Sequence, residues 1–127
     1  DEFIQSDSTK VLAVGTVEQM DYWEPRIRKS FGHLIETTRS KPRYIEMTKK
    51  GVSKGVALAT LAQHYNLQRT EIMAIGDSFN DVQMLQYAGV GVAVANAPEE
   101  VKQVADYVTL SNEEDGVADA LYRFLHL

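Results

Sequence analysis

The sequence has no cysteine. Disulfides and thiolate-held metals are therefore excluded, and the chain is expected in a reducing cytoplasm. Long hydrophobic runs are missing too. The longest, Val11–Val14 and Val90–Ala95, are far too short to cross a bilayer. No basic stretch leads into an apolar core near the start, so no secretory leader is read. An excess of positive charge is also absent. The net charge of −5 disfavours nucleic acid and anionic membrane as partners, because both select a basic face. No Gly-x-Ser-x-Gly elbow, phosphate-binding P-loop or dinucleotide Gly-x-Gly-x-x-Gly occurs. His33, His64 and His126 are scattered, without metal-ligand spacing. What remains is ordinary for a soluble globular protein: 44% hydrophobic and 24% charged residues, in 127 that allow one modest domain or two small pieces.

Two halves differ in texture. Lys10–Gly15 reads as a strand. A helix follows with Met20, Trp23, Ile27 and Phe31 on one stripe, and Pro25 is expected to kink or restart it. His33–Ser40 and Arg43–Thr48 read as strands joined tightly at Lys41-Pro42, an antiparallel pair. The first half, 1–48, thus has a β-α-β-β pattern. The second, 49–127, alternates helix and strand. Ser53 is expected to cap a helix reaching Tyr65, with Leu58, Leu61, Ala62 and Tyr65 as its apolar stripe. Strands are expected at Glu71–Gly76, Gly91–Ala95 and Tyr107–Leu110. Helices are expected at Asn80–Ala88, after an Asn96-Ala97-Pro98-Glu99 capping box, and at Asp115–Leu125 with Val117, Leu121 and Leu125 inward. The fold class is α/β, with a parallel sheet covered by helices.

Gly76-Asp77-Ser78-Phe79-Asn80-Asp81 concentrates the chemistry. It follows a short apolar strand and opens a helix, where ligands of open α/β sheets bind. Two carboxylates and an amide offer hard oxygen ligands suited to Mg²⁺, and a helix N-terminus favours phosphate. The plainer alternative is a helix cap, with Asp77 or Ser78 capping and Asp81 in the first turn. Lys54, in Gly51-Val52-Ser53-Lys54-Gly55, is a cation at a helix start. It is either a surface lysine or a group aimed at an anion. Tyr22, Trp23 and Phe31 read as helix packing, and Glu113-Glu114-Asp115 as the acidic start of the last helix.

These segments, with Ala88–Ala97, Ala105–Thr109 and Asp115–Ala118, resemble the closing part of Cof-type phosphatases of the haloacid dehalogenase (HAD) superfamily. The resemblance spans Gly51–Leu125, and residues 1–48 look more loosely like the end of that family's α/β cap domain. It implies a Rossmann-like core with a bound Mg²⁺, a small phosphorylated metabolite such as a sugar phosphate or nucleotide as substrate, and an aspartyl-phosphate intermediate. It assigns Lys54 to orienting the nucleophile and offsetting phosphate charge, and Asp77 to the metal. It assigns Asp81 to a metal-bound water or a place behind the ligands, and Asn80 to phosphate or to holding the loop.

One departure outweighs these matches. The family opens on Asp-x-Asp, which carries the nucleophile and general acid/base, and this chain has no Asp-x-Asp. The family's second-motif Ser or Thr has no counterpart either, since Val14-Gly15-Thr16 falls in the cap-like part. The chain is therefore expected to be a C-terminal portion without phosphatase activity of its own. The Ile72–Ile75 strand should have an open edge that invites a homodimer. The alternative is a non-catalytic phosphate-binding or interaction module with a vestigial site, and a mutase or sucrose-phosphate phosphatase of the same superfamily is a further reading.

Overall fold

The computed structural model of the chain describes residues 6–125. The chain divides into two compact units, Asp1–Val52 and Ser53–Leu127.

Among the described residues the first unit is a three-stranded antiparallel sheet with one helix. Its elements are β1 (Lys10–Val14), α1 (Val17–Phe31), β2 (Ile35–Lys41) and β3 (Tyr44–Lys49), and the strand order is β1-β3-β2. Thr16 and Gln19 start α1 reciprocally: the Gln19 amide donates to Thr16 Oγ1 at 3.3 Å and the Thr16 amide to Gln19 Oε1 at 2.9 Å. The expected break at Pro25 is not there, and a single helix runs through it. Proline removes one backbone donor without ending the helix, and Pro25 itself is exposed. The Arg26 guanidinium donates to the neighbouring Tyr22 carbonyl at 2.6 Å. Of the expected stripe only Met20 is buried, whereas Trp23 and Phe31 are each 51% exposed. Three strands give one helix too narrow a floor to cover the whole stripe. A polar tie adds to the packing: Arg39 on β2 donates to Asp21 (2.6 Å) and Glu24 (3.3 Å) of α1 and to the Pro42 carbonyl.

The second unit alternates helix and strand. It comprises α2 (Lys54–His64), β4 (Met73–Gly76), α3 (Val82–Tyr87), β5 (Val90–Val94), α4 (Glu99–Lys102), β6 (Tyr107–Thr109) and α5 (Gly116–Leu125). The strands run parallel in the order β4-β5-β6. Gly91, Val92, Ala93 and Val94 are all buried, so both faces of β5 are covered, which is why its sequence is continuously apolar. Leu85 and Val101 pack in the same core as Ala74, Ala93 and Val94. Among the described residues β4 pairs only with β5, leaving its other edge open.

Three local expectations fail here. Of the expected α2 stripe only Ala62 is buried, while Leu61 and Tyr65 are exposed. Asn96 does not cap α4: Pro98 stands at its N-cap without a side-chain bond, and the Asn96 side chain is engaged elsewhere. On α5 the buried residues are Gly116 and Ala120, while Val117 and Leu125 are half exposed. Small residues let α5 lie close. A Cβ at Gly116 would fall 2.0 Å from the Leu110 carbonyl oxygen.

Candidate functional site

The site forms at the carboxyl end of the parallel sheet in the second unit. Ser53 caps α2, accepting from the Val56 amide at 3.2 Å, and its hydroxyl donates to Gln83 Oε1 on α3 at 2.6 Å. Gly55 then allows the two helices to touch, because a Cβ there would sit 2.8 Å from the Gln83 backbone. This contact fixes Lys54, in the first turn of α2, over the loop that follows β4. The cost of a cation at a helix start is met by an ion pair: Lys54 Nζ donates to Asp81 Oδ1.

Asp81 is the organising carboxylate. It is 2% exposed. Its Oδ2 accepts from the Asp77 amide at 3.0 Å and the Ser78 amide at 3.1 Å. The Ser78 hydroxyl lies 2.5 Å from Asn80 Oδ1 and 3.2 Å from Asp81 Oδ2, and its single proton serves one at a time. Burial pushes the Asp81 carboxyl up, but the Lys54 ammonium and the two amides outweigh it and hold the group below its ordinary value. Asp81 is thus a fixed anion that orients a cation. Gly76 is needed for close approach rather than for an unusual backbone angle: a Cβ there would sit 2.5 Å from Asp81 Cβ.

The two readings of the loop coexist in the structure. A 3-10 turn at Phe79–Asp81 leads into α3, and the Asp81 carboxylate reaches back to the Ser78 amide as a capping side chain does. The same carboxylate also holds Lys54, which capping alone does not require.

Asp77 contrasts with Asp81. Its carboxylate is exposed and has no hydrogen bond or ion pair among the described residues. It lines a cleft of about 370 Å³ with Lys54, Gly76, Asp81, Asn96 and Asn112. Asn80 does not line this cleft, and its side chain meets the loop through Ser78. Sequence reasoning missed Ser78 as an Asp81 donor, although the Ser78-x-x-Asp81 spacing of a capping box carried that signal. It also missed Asn96 and Asn112. Their backbone-to-side-chain bond of 2.9 Å joins loops sixteen residues apart, and no local pattern reveals it. His33 and His64 lie outside the cleft, and His126 lies outside the described residues.

The donor set suits one side of a Mg²⁺ site. Mg²⁺ takes carboxylate and water oxygens, and Asp77 offers an unengaged carboxylate at a strand end. Both Asp81 oxygens already accept from nitrogen donors, which suits contact through water better than direct ligation. No group of three or more acidic or histidine side chains converges among the described residues.

Comparison with known proteins gives the family. Residues 1–121 match the family of haloacid dehalogenase-like hydrolases, and the chain belongs to that family. It is 45% identical over 87 residues to a 5-amino-6-(5-phospho-D-ribitylamino)uracil phosphatase of Bacillus subtilis, covering 68% of this chain and 35% of that protein. A haloacid dehalogenase-like hydrolase from Bacteroides thetaiotaomicron is 38% identical with a TM-score of 0.79, over 96% of this chain and 46% of that one. A HAD subclass IIB sugar phosphatase is 31% identical with a TM-score of 0.85, over 96% and 45% of the two chains. The chain spans less than half the length of the curated relatives it matches.

Proposed function

We propose that this chain supplies the lysine-and-metal half of the active site of a Cof-type, Mg²⁺-dependent phosphomonoester hydrolase. The observation that carries the reading is the Lys54–Asp81 pair beside the partner-free Asp77 in one cleft. Lys54 spends one of its three N–H donors on Asp81 and keeps two for phosphate oxygens. Asp81 holds that ammonium in place. Asp77 would hold Mg²⁺, with Asp81 behind it through water and Asn80 holding the loop or reaching phosphate. Bound there, the metal would neutralise charge on the phosphate.

The nucleophile would be an aspartate from a segment outside these 127 residues. Its carboxylate would attack phosphorus as the alcohol leaves, and water would then hydrolyse the acyl phosphate. We read the first unit as the closing part of a cap and the second as the closing part of the catalytic core. A further strand would pair along the open edge of β4. In the isolated chain that edge makes homodimerisation the expected behaviour, which sedimentation would read. A small phosphorylated metabolite, a sugar phosphate or nucleotide, is the substrate class we favour. The phosphatase names of the relatives support it, and the cytoplasm is its expected place.

The test is turnover of p-nitrophenyl phosphate by the purified 127-residue chain with Mg²⁺. No turnover is expected. Mg²⁺-dependent turnover that disappears in Asp77→Ala would show that the chain contains a nucleophile of its own.

A further inference from the structure

We infer that Asn96 is a phosphate-binding residue of this cleft, donating from its side-chain amide beside the carboxylates of the loop after β4. The inference rests on the phosphatase reading above and extends it to the loops after β5 and β6. Asn96 follows β5, and Asn112 stands in the 3-10 turn that follows β6. The Asn112 backbone N–H donates to the Asn96 side chain at 2.9 Å, and a backbone N–H requires an acceptor there. That fixes which end of the amide is oxygen. Oδ1 is engaged, and Nδ2 is the end left over. Nδ2 makes no hydrogen bond among the described residues, and Asn96 lines the cleft with Lys54 and Asp77.

The backbone holds this arrangement in place. The Ala95 amide donates to the Leu110 carbonyl at 3.2 Å, and the Ala97 amide to the Val94 carbonyl at 2.9 Å. Asn96 is therefore pinned on both sides, with its oxygen turned to Asn112 and its two N–H donors free. A cleft lined by the carboxylates of Asp77 and Asp81 and by the N–H donors of Lys54 and Asn96 suits a phosphate group together with a cation. Asp77 would hold the cation, while Lys54 and Asn96 would take phosphate oxygens. A neutral donor suits the second position, because it binds oxygen without competing with Lys54 for Asp81. The Asn96 side chain thus has two separable jobs, tying two loops through its oxygen and binding the ligand through its nitrogen.

Substitutions separate these jobs. Asn96→Asp keeps the oxygen acceptor and loses the donors, whereas Asn96→Ala loses both. The ¹⁵N-labelled chain is titrated with inorganic phosphate in Mg²⁺ and followed by NMR, and each variant is also melted thermally. The wild-type Asn96 side-chain amide signals should move with phosphate. Both variants should weaken phosphate binding about tenfold, the worth of one hydrogen bond to a charged ligand. Only Asn96→Ala should lower Tm. Three results would overturn the assignment. Stationary Asn96 side-chain signals would remove the contact. Normal binding by Asn96→Asp would leave Asn96 as a loop tie alone. Weakened binding by Asn96→Asp with normal binding by Asn96→Ala would mean charge repulsion only. The phosphatase reading fails differently: the wild-type chain would then show no saturable phosphate shift, or a shift indifferent to Lys54→Ala, and the role of Asn96 would fall with it.

Discussion

The two units of this chain bury their residues in different ways. In the first, Met20, Thr37 and Ile45 are the buried residues among those described, and much of the apolar surface of β1 and α1 lies open. Strand pairing and the Arg39 network support a thin core. In the second, β5 is covered on both faces and Leu85 and Val101 are sealed beneath it. The chemistry-bearing loop hangs from that second unit, at the end of β4. A side chain is held precisely when the strand beneath it cannot shift, and close packing supplies that restraint. Asp81 inherits it, being buried, ion-paired and bonded to two amides.

Substitutions can break this contrast. The largest effect should come from Leu85→Ala, at about 3 kcal/mol for a fully buried leucine, read by denaturant unfolding and by lost amide protection in β4 and β5. Asp81→Ala should follow at about 2 kcal/mol, because it strips the Asp77 and Ser78 amides and Lys54 of their shared acceptor, and the loop amides should exchange faster. Arg39→Ala should cost about 1 kcal/mol and show in the first unit, through faster exchange in α1. Lys10→Ala, which removes an exposed pair with Glu46, should change stability by no more than about 0.5 kcal/mol. Should Arg39→Ala prove costlier than Leu85→Ala, the contrast drawn above would be reversed.

Acid sharpens the same point. The Asp81 carboxyl is held below its ordinary value in the folded chain. Its contribution is therefore fully present above the unfolded value and is lost as pH falls through the folded one, below about pH 4. Stability measured against pH should fall there, and Asp81→Asn should flatten that part of the curve.

Much of this was legible in the sequence, for identifiable reasons. Short apolar strands and capped helices have fixed periods, so the α/β alternation, the Ser53 cap and the hairpin at Pro42 could be read directly. The Gly76–Asp81 loop stood out because two carboxylates and an amide crowd one strand end. What could not be read depends on distance through the fold. Lys54 and Asp81 are twenty-seven residues apart, and the packing of α2 on α3 at Ser53 and Gly55 brings them together. Asn96 matched a local capping pattern but serves a tertiary one. Pro25 falls under a rule for helix interiors, yet α1 runs through it with the ring exposed. Trp23, Phe31, Val117 and Leu125 have helical spacing, but spacing does not say how wide a surface the helix will find to cover.

The central claim is that Asp77 is the metal ligand of a phosphate-binding half-site completed by Lys54. Paramagnetic broadening by Mn²⁺, a stand-in for Mg²⁺, tests it most directly. In the ¹⁵N-labelled chain with inorganic phosphate present, the Gly76–Asp81 amides should broaden first, and Asp77→Asn should remove the effect while leaving the rest of the spectrum unchanged. Broadening that persists in Asp77→Asn, or that centres on Glu113–Asp115 instead, would contradict the account.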